Sequence, residues 1–193
     1  DLNGEKMSKS IGNVIMAKEL VQEIGYGAYR MLILSVPYRQ PLNYRDELLN
    51  QAKGDFDKIY KTKLSLSRKL QIEKGIIKEN IDITSENIKQ IKEEFIEALS
   101  NDFNTANAIT AIIKTTKLIN TLVRQKEFDE NYALQLLQLL DEQMWVLGID
   151  SVVEPLNNIE LELVRKWQTA RNNKDFESAD VLRKEINDKG IIL

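Results

Sequence analysis

From Arg45 onward one pattern dominates the chain: apolar residues return at the spacing of a helical turn. In RDELLNQAKGDFDKIYKTKLSLSRKL, residues 45–70, they fall at Leu48, Leu49, Ala52, Phe56, Ile59, Tyr60, Leu64, Leu66 and Leu70, close to the period of an amphipathic α-helix. The other face collects Lys53, Lys58, Lys61, Lys63, Arg68 and Lys69. The pattern resumes after a break at residues 73–85. ENIKQIKEEFIEALSND, residues 86–102, puts Ile88, Ile91, Phe95, Ile96 and Leu99 on one face. A further helix starts near Asn104 or Thr105, both good N-cap types. A third, within residues 129–149, is closed by Gly148. With only 3 Pro and 8 Gly in 193 residues, the connections are short. Short connections between amphipathic helices specify antiparallel neighbours, so an all-α bundle is the expected architecture.

The flanks are read in the same way. AKELVQEIGYGAYRMLILSV, residues 17–36, is two short helices, with Gly25 as a cap and Gly27 as a restart. PYRQPLNY, residues 37–44, carries two prolines in five positions and is an extended loop. Residues 153–158, VEPLNN, read as a linker to a helical hairpin. Its first helix covers roughly 158–172, residues 173–175 make the turn with Asp175 as N-cap, and the second helix ends at Gly190. Phe176, Ala179, Leu182 and Ile186 form the apolar stripe of the second helix, facing Trp167 and Ala170. The closing GIIL could begin a strand. The divisions expected are 1–44, 45–152 and 153–193.

Composition narrows the chemistry. Hydrophobic residues make up 42% and charged residues 30%, an ordinary balance for a chain that buries a core. No run of 18 apolar residues is present to span a membrane, and residues 1–13 lack the apolar centre of a signal peptide. The absence of Cys excludes disulfides and accords with the cytoplasm. With no His either, the chain lacks the commonest general base and the usual ligands of a zinc site. The net charge of −3 is unevenly spread: residues 1–78 carry a cationic excess and the remainder an acidic one. A polyanion could therefore bind one face of an acidic protein.

The opening DLNGEKMSKSIGN, residues 1–13, sets two lysines and two serines between Gly4 and Gly12. Two ammonium groups can offset the charge of a triphosphate, while hydroxyls and loop amides donate to its oxygens. If pyrophosphate leaves, such lysines stabilise the charge that develops. Taken alone, the same composition also describes a solvated surface loop.

Four strings, in order, resemble cysteinyl-tRNA synthetases of class I. GEKMSKSIGN carries the KMSKS signature with all five positions intact. YRMLILSVPYRQPLNY resembles the segment that follows it. ALSNDFNTANAI resembles the bundle motif in which an acidic pair precedes Phe-Asn-Thr, and ARNNKDFESADVLRKEINDKGI resembles the C-terminal signature. The resemblance spans nearly the whole chain and implies the C-terminal portion of such an enzyme, in which a bundle of the DALR type precedes the hairpin. It implies a ligase that uses ATP, with Mg, to activate cysteine and transfers it to tRNA(Cys), in a cytoplasmic monomer. The family's His-containing ATP motif and its zinc ligands lie before the signature, so the 193 residues alone are expected to be inactive. Family members also continue past GIIL.

Residue by residue, the resemblance implies that Lys9 contacts ATP, with Lys6, Ser8 and Ser10 shaping the loop. It places Tyr38, Arg39 and Asn43 in the stem-contact region, where they could equally form a rigid buried loop as touch tRNA. It lays the basic face, Lys53 and Lys61 included, along tRNA phosphates, though the same residues equally describe a solvated helix face. It assigns Arg171, Phe176 and Asp180 to the GCA anticodon, Phe176 standing where some members carry Trp. Physically, an aromatic ring stacks an unpaired base and a carboxylate accepts from a guanine edge. Phe176 could equally pack in the hairpin core. Two other readings fit the same residues: a free-standing tRNA-binding module, and a cysteine ligase of the same descent with a non-tRNA acceptor.

Overall fold

The computed structural model describes residues 8, 10, 14–77, 79–149 and 151–192. Among the described residues eight helices account for the regular structure: α1 (Ala17–Ile24), α2 (Tyr26–Leu34), α3 (Asp46–Lys74), α4 (Glu86–Ser100), α5 (Thr105–Val123), α6 (Glu130–Leu147), α7 (Asn158–Asn172) and α8 (Phe176–Asp188). The protein is all-α. Among the described residues no helix is long and apolar enough to cross a membrane.

α3 is the axis of the molecule. Its 29 residues extend roughly 43 Å at 1.5 Å per residue. Asp46 and Glu47 occupy the first turn and Lys74 the last, each placed to favour the helix dipole. Gly75, at φ 74°, ends it in the left-handed conformation, which glycine adopts without a Cβ penalty. α4, α5 and α6 complete an up-and-down bundle with α3. Leu66 and Leu70 of α3 join Ile88, Ile112, Ile119, Leu136, Leu139, Leu140 and Met144 in its dry interior. Gln135 is buried there too, and its Oε1 accepts from the backbone N–H groups of Thr84 and Ser85 at 2.8 Å each. It thereby satisfies donors at the entry to α4 that the helix cannot satisfy itself.

α4 departs from the expected pattern at one position. Its buried stripe is Ile88, Ile91, Phe95 and Ala98, and Ile96 is 52% exposed. Residue 96 lies about 100° around the helix from 95, off the 3-and-4 spacing.

α2 packs on the N-terminal half of α3, and α1 packs on α2. They meet at Gly25, whose φ of 82° lets one residue close α1 and open α2. Gly27 does not restart the helix; it lies buried within α2. A Cβ there would fall 2.2 Å from the Phe56 ring, so a hydrogen at this position is what lets α2 and α3 approach. Across the bundle, Arg30 Nε donates to Leu147 O at 2.9 Å, and Thr105 Oγ1 donates to Leu34 O at 2.6 Å. These bonds satisfy terminal carbonyls of α6 and α2.

α7 and α8 form the expected hairpin with a small core of their own: Leu163, Val164, Trp167, Ala170, Ala179 and Ile186, joined by Ile72 of α3, Leu156 and Ile191. Asn157 caps α7 through a reciprocal pair with Glu160, as a capping box does. The Asp175 carboxylate accepts from Ser178 N at 3.1 Å. GIIL begins no strand among the described residues. Gly190 turns at φ 68° and Ile191 N–H donates to Ile186 O, which folds Ile191 back over the hairpin core.

Candidate functional site

Of the lysine–serine loop, Ser8 and Ser10 are described, and their hydroxyl oxygens lie 2.6 Å apart. Lys6 and Lys9 lie outside the described residues.

Two of the motifs read separately from the sequence meet in space. The 37–44 loop sits against the turn between α4 and α5. Tyr38 Oη donates to Asp102 Oδ1 at 2.8 Å. Arg39 Nε donates to Tyr38 Oη at 2.8 Å and Arg39 Nη2 to Asp102 Oδ1 at 3.2 Å. The Arg39 guanidinium also lies 5.2 Å from the centre of the Tyr38 ring. The turn beneath is unusual, because Asp102 and Phe103 both take φ 53°, a left-handed conformation costly to residues with a side chain. It leaves Phe103 67% exposed. Asn104 then caps α5 by accepting from Asn107 N. The sequence could not show that Asp102 partners residues more than sixty positions away.

The basic face of α3 divides. Lys53, Lys58 and Lys61 are exposed, and Lys58 pairs with Asp55 at 3.1 Å. Lys63 is not on that face: it is 6% exposed, with its ammonium 3.0 Å from Asp141 and donating to Ser151 O at 2.6 Å. Arg68 is half-buried, and burial pushes its pKa down. It donates to Glu154 O at 2.8 Å. Lys69 pairs with Glu73 at 2.7 Å and lies against the Phe128 ring. A lysine half a turn from an apolar neighbour looks solvated in a sequence; only the partner helix shows that it is covered.

At the hairpin tip, Arg171, Phe176 and Asp180 are all exposed. Phe176 is 67% exposed and outside the apolar stripe. The reason is its place as the first residue of α8: the three-residue turn has already ended α7, so nothing covers the ring. Arg171 lies 4.9 Å from the centre of the Trp167 ring, and Arg183, which the sequence did not single out, 5.5 Å from it. Guanidinium groups on an indole are held without losing their outward donors. Hydrogen bonds to Ser178 hold the Asp175 carboxyl below its usual pKa, so negative charge persists at the start of α8. Asp180 makes no side-chain hydrogen bond or ion pair among the described residues. The tip therefore presents a bare ring, a stacked guanidinium and a carboxylate to solvent.

Residues 1–54 match the family model described as the class I (C) catalytic domain of tRNA synthetases, and residues 94–150 match the DALR domain. Curated relatives match more widely. A cysteine–tRNA ligase of Geobacillus sp. (strain WCH70) is 34% identical over 100% of this chain and 41% of its own length. Along its whole length the chain is similar to cysteine–tRNA ligases. That of Clostridioides difficile (strain 630) is also 34% identical, over 100% of this chain and 42% of its own. That of Pediococcus pentosaceus is 32% identical over 99% and 40%. The chain spans about two-fifths of the length of these ligases. The match to the catalytic-domain family ends within α3, and the DALR match covers the end of α4 with α5 and α6. The Tyr38–Arg39–Asp102 contact therefore joins one matched region to the other.

Proposed function

We propose that this chain is the tRNA-binding portion of a cytoplasmic, monomeric cysteine–tRNA ligase that activates cysteine with ATP and transfers it to tRNA(Cys). In this reading Lys6 and Lys9, with Ser8 and Ser10, offset phosphate charge on Mg-bound ATP, most of all as pyrophosphate separates. The zinc of the family does not fit this chain, which offers neither His nor Cys; among the described residues no acidic cluster substitutes. Lys53 and Lys61 follow tRNA phosphates, adding affinity without reading sequence. Arg171, Phe176 and Asp180 read the anticodon.

One observation carries the hairpin assignment. Phe176, apolar and placed by sequence to extend the core stripe, stands 67% exposed, and Arg171 and Asp180 of the same hairpin are exposed as well. An uncovered ring on a hairpin that also exposes a guanidinium and a carboxylate supports base stacking and edge recognition.

The test is binding to tRNA(Cys) and to a transcript altered in the GCA anticodon. Asp180→Asn places an amide donor opposite guanine donors and costs about 1–3 kcal/mol on the native anticodon. The loss shrinks on the altered transcript, as for a coupled pair. Lys61→Ala weakens both transcripts alike and flattens the salt dependence. Equal losses for Asp180→Asn on both transcripts would remove the hairpin from anticodon reading.

A further inference from the structure

The stretch from Ser151 to Leu156 looks like a linker in the sequence but is laid along α3 and fastened at three levels. Lys63 Nζ donates to Ser151 O at 2.6 Å. Five residues further along α3, Arg68 Nη1 donates to Glu154 O at 2.8 Å. Three residues beyond that, Gln71 Nε2 donates to Leu156 O at 2.8 Å while Leu156 N–H donates to Gln71 Oε1 at 3.0 Å. Each of these partners is a backbone group, so the strap is held in register whatever its side chains. Gln71 is itself buried, and its reciprocal pair is the last fastening before α7. On the far side of it, Arg165 Nη2 of α7 donates to Ile72 O at 3.2 Å, and the Ile72 side chain enters the hairpin core.

We propose that Gln71 is a positioning residue that fixes the direction of the α7–α8 hairpin relative to α3. The helix thereby acts as a ruler between the Lys53–Lys61 face and the hairpin tip. The consequence for RNA rests on the tRNA reading above. Two contact regions on one rigid body engage one RNA at a high effective concentration, and a hairpin free to swing dilutes the second contact. Gln71 touches no RNA in this scheme. It acts by removing the directions in which Arg171, Phe176 and Asp180 would miss.

The experiment has an arm that needs no RNA. The chain contains no Cys, so spin labels on Gln51→Cys in α3 and Lys184→Cys in α8 report one distance. That distance is single and narrow in the parent and broad in Gln71→Ala, with intermediate width in Gln71→Glu, which keeps the acceptor for Leu156 N–H. Arg68→Gln, away from the core, broadens it less and serves if Gln71→Ala lowers the helix content. An unchanged narrow distance in Gln71→Ala and Arg68→Gln overturns the proposal. In the RNA arm, Gln71→Ala weakens intact tRNA(Cys) about tenfold but leaves an isolated anticodon stem–loop within about twofold. Equal weakening of both RNAs, or of neither, overturns the positioning role. If the parent binds neither RNA, the tRNA reading fails, and the distance arm still decides what Gln71 does.

Discussion

In the bundle, Leu136, Leu139, Leu140 and Met144 of α6 are sealed from water by the helices around them. In the hairpin, Val164 and Ile186 reach comparable burial only because Ile72, Leu156 and Ile191 close the core from outside the two helices. The bundle is held by area. The hairpin is held by a small apolar seam and by polar side chains of α3 gripping backbone. Each region has a glutamine whose amide serves the neighbouring chain: Gln135 for the entry to α4, Gln71 for the entry to α7. A pair of helices too small for an independent core can thus still be held in one orientation if its tether is hydrogen-bonded.

Truncating the largest hairpin side chain breaks that comparison most severely. Trp167→Ala should cost about 3–5 kcal/mol, more than the seam can lose. Hydrogen exchange should show α7 and α8 opening while α3–α6 keep their protection. Leu136→Ala should cost about 2–5 kcal/mol, but spread over the bundle, lowering one cooperative denaturant transition. Protection lost only around α6 would show that the bundle is not a single unit. Gly27→Ala should cost about 1–3 kcal/mol through contact with the Phe56 ring, and Phe56→Leu in the same chain should recover part of it. A neutral Gly27→Ala would mean that α2 moves freely over α3.

The smallest effect is in acid. The folded Asp175 carboxyl titrates below its ordinary value of 3.8 because of its hydrogen bonds to Ser178. Such a group contributes stability above its unfolded pKa, and that contribution disappears as pH falls through the lower, folded one. The protection factor of the Ser178 amide, its slowing of exchange relative to the unfolded chain at the same pH, should therefore fall below about pH 4, and Asp175→Asn, still a good cap, should abolish that fall. The hairpin would sharpen its distinction from the bundle if residues buried in α6 showed no change over the same range.

The bundle was legible because burial there mostly follows period: Leu66, Ile88 and Phe95 sit where the helical stripe puts them, and Ile96 is the exception on α4. Asp175 and Asn104 were legible as caps because capping is local chemistry. Lys63, Phe176 and Gly27 were misplaced for one shared reason: each depends on what another segment does. Lys63 is covered by Asp141 and the Ser151 carbonyl, Phe176 is left bare by the short turn, and Gly27 admits a ring from α3. Gln71 gave no signal, since a glutamine gripping a backbone and one facing water are the same letter. At the hairpin tip the resemblance supplied Arg171 and Asp180, whereas Arg183 enters only once α8 is folded against Trp167.

The strap also has a mechanical meaning. Its fastenings at Ser151, Glu154 and Leu156 follow Lys63, Arg68 and Gln71 in the same direction along α3. A pull on the hairpin along the axis of α3 loads all three levels in shear, and they must fail together. A pull across that axis loads the levels one after another, beginning at Leu156 with the Arg165–Ile72 bond beside it. The hairpin therefore resists sliding lengthwise more strongly than levering sideways, and the resistance to levering rests on the Gln71 level.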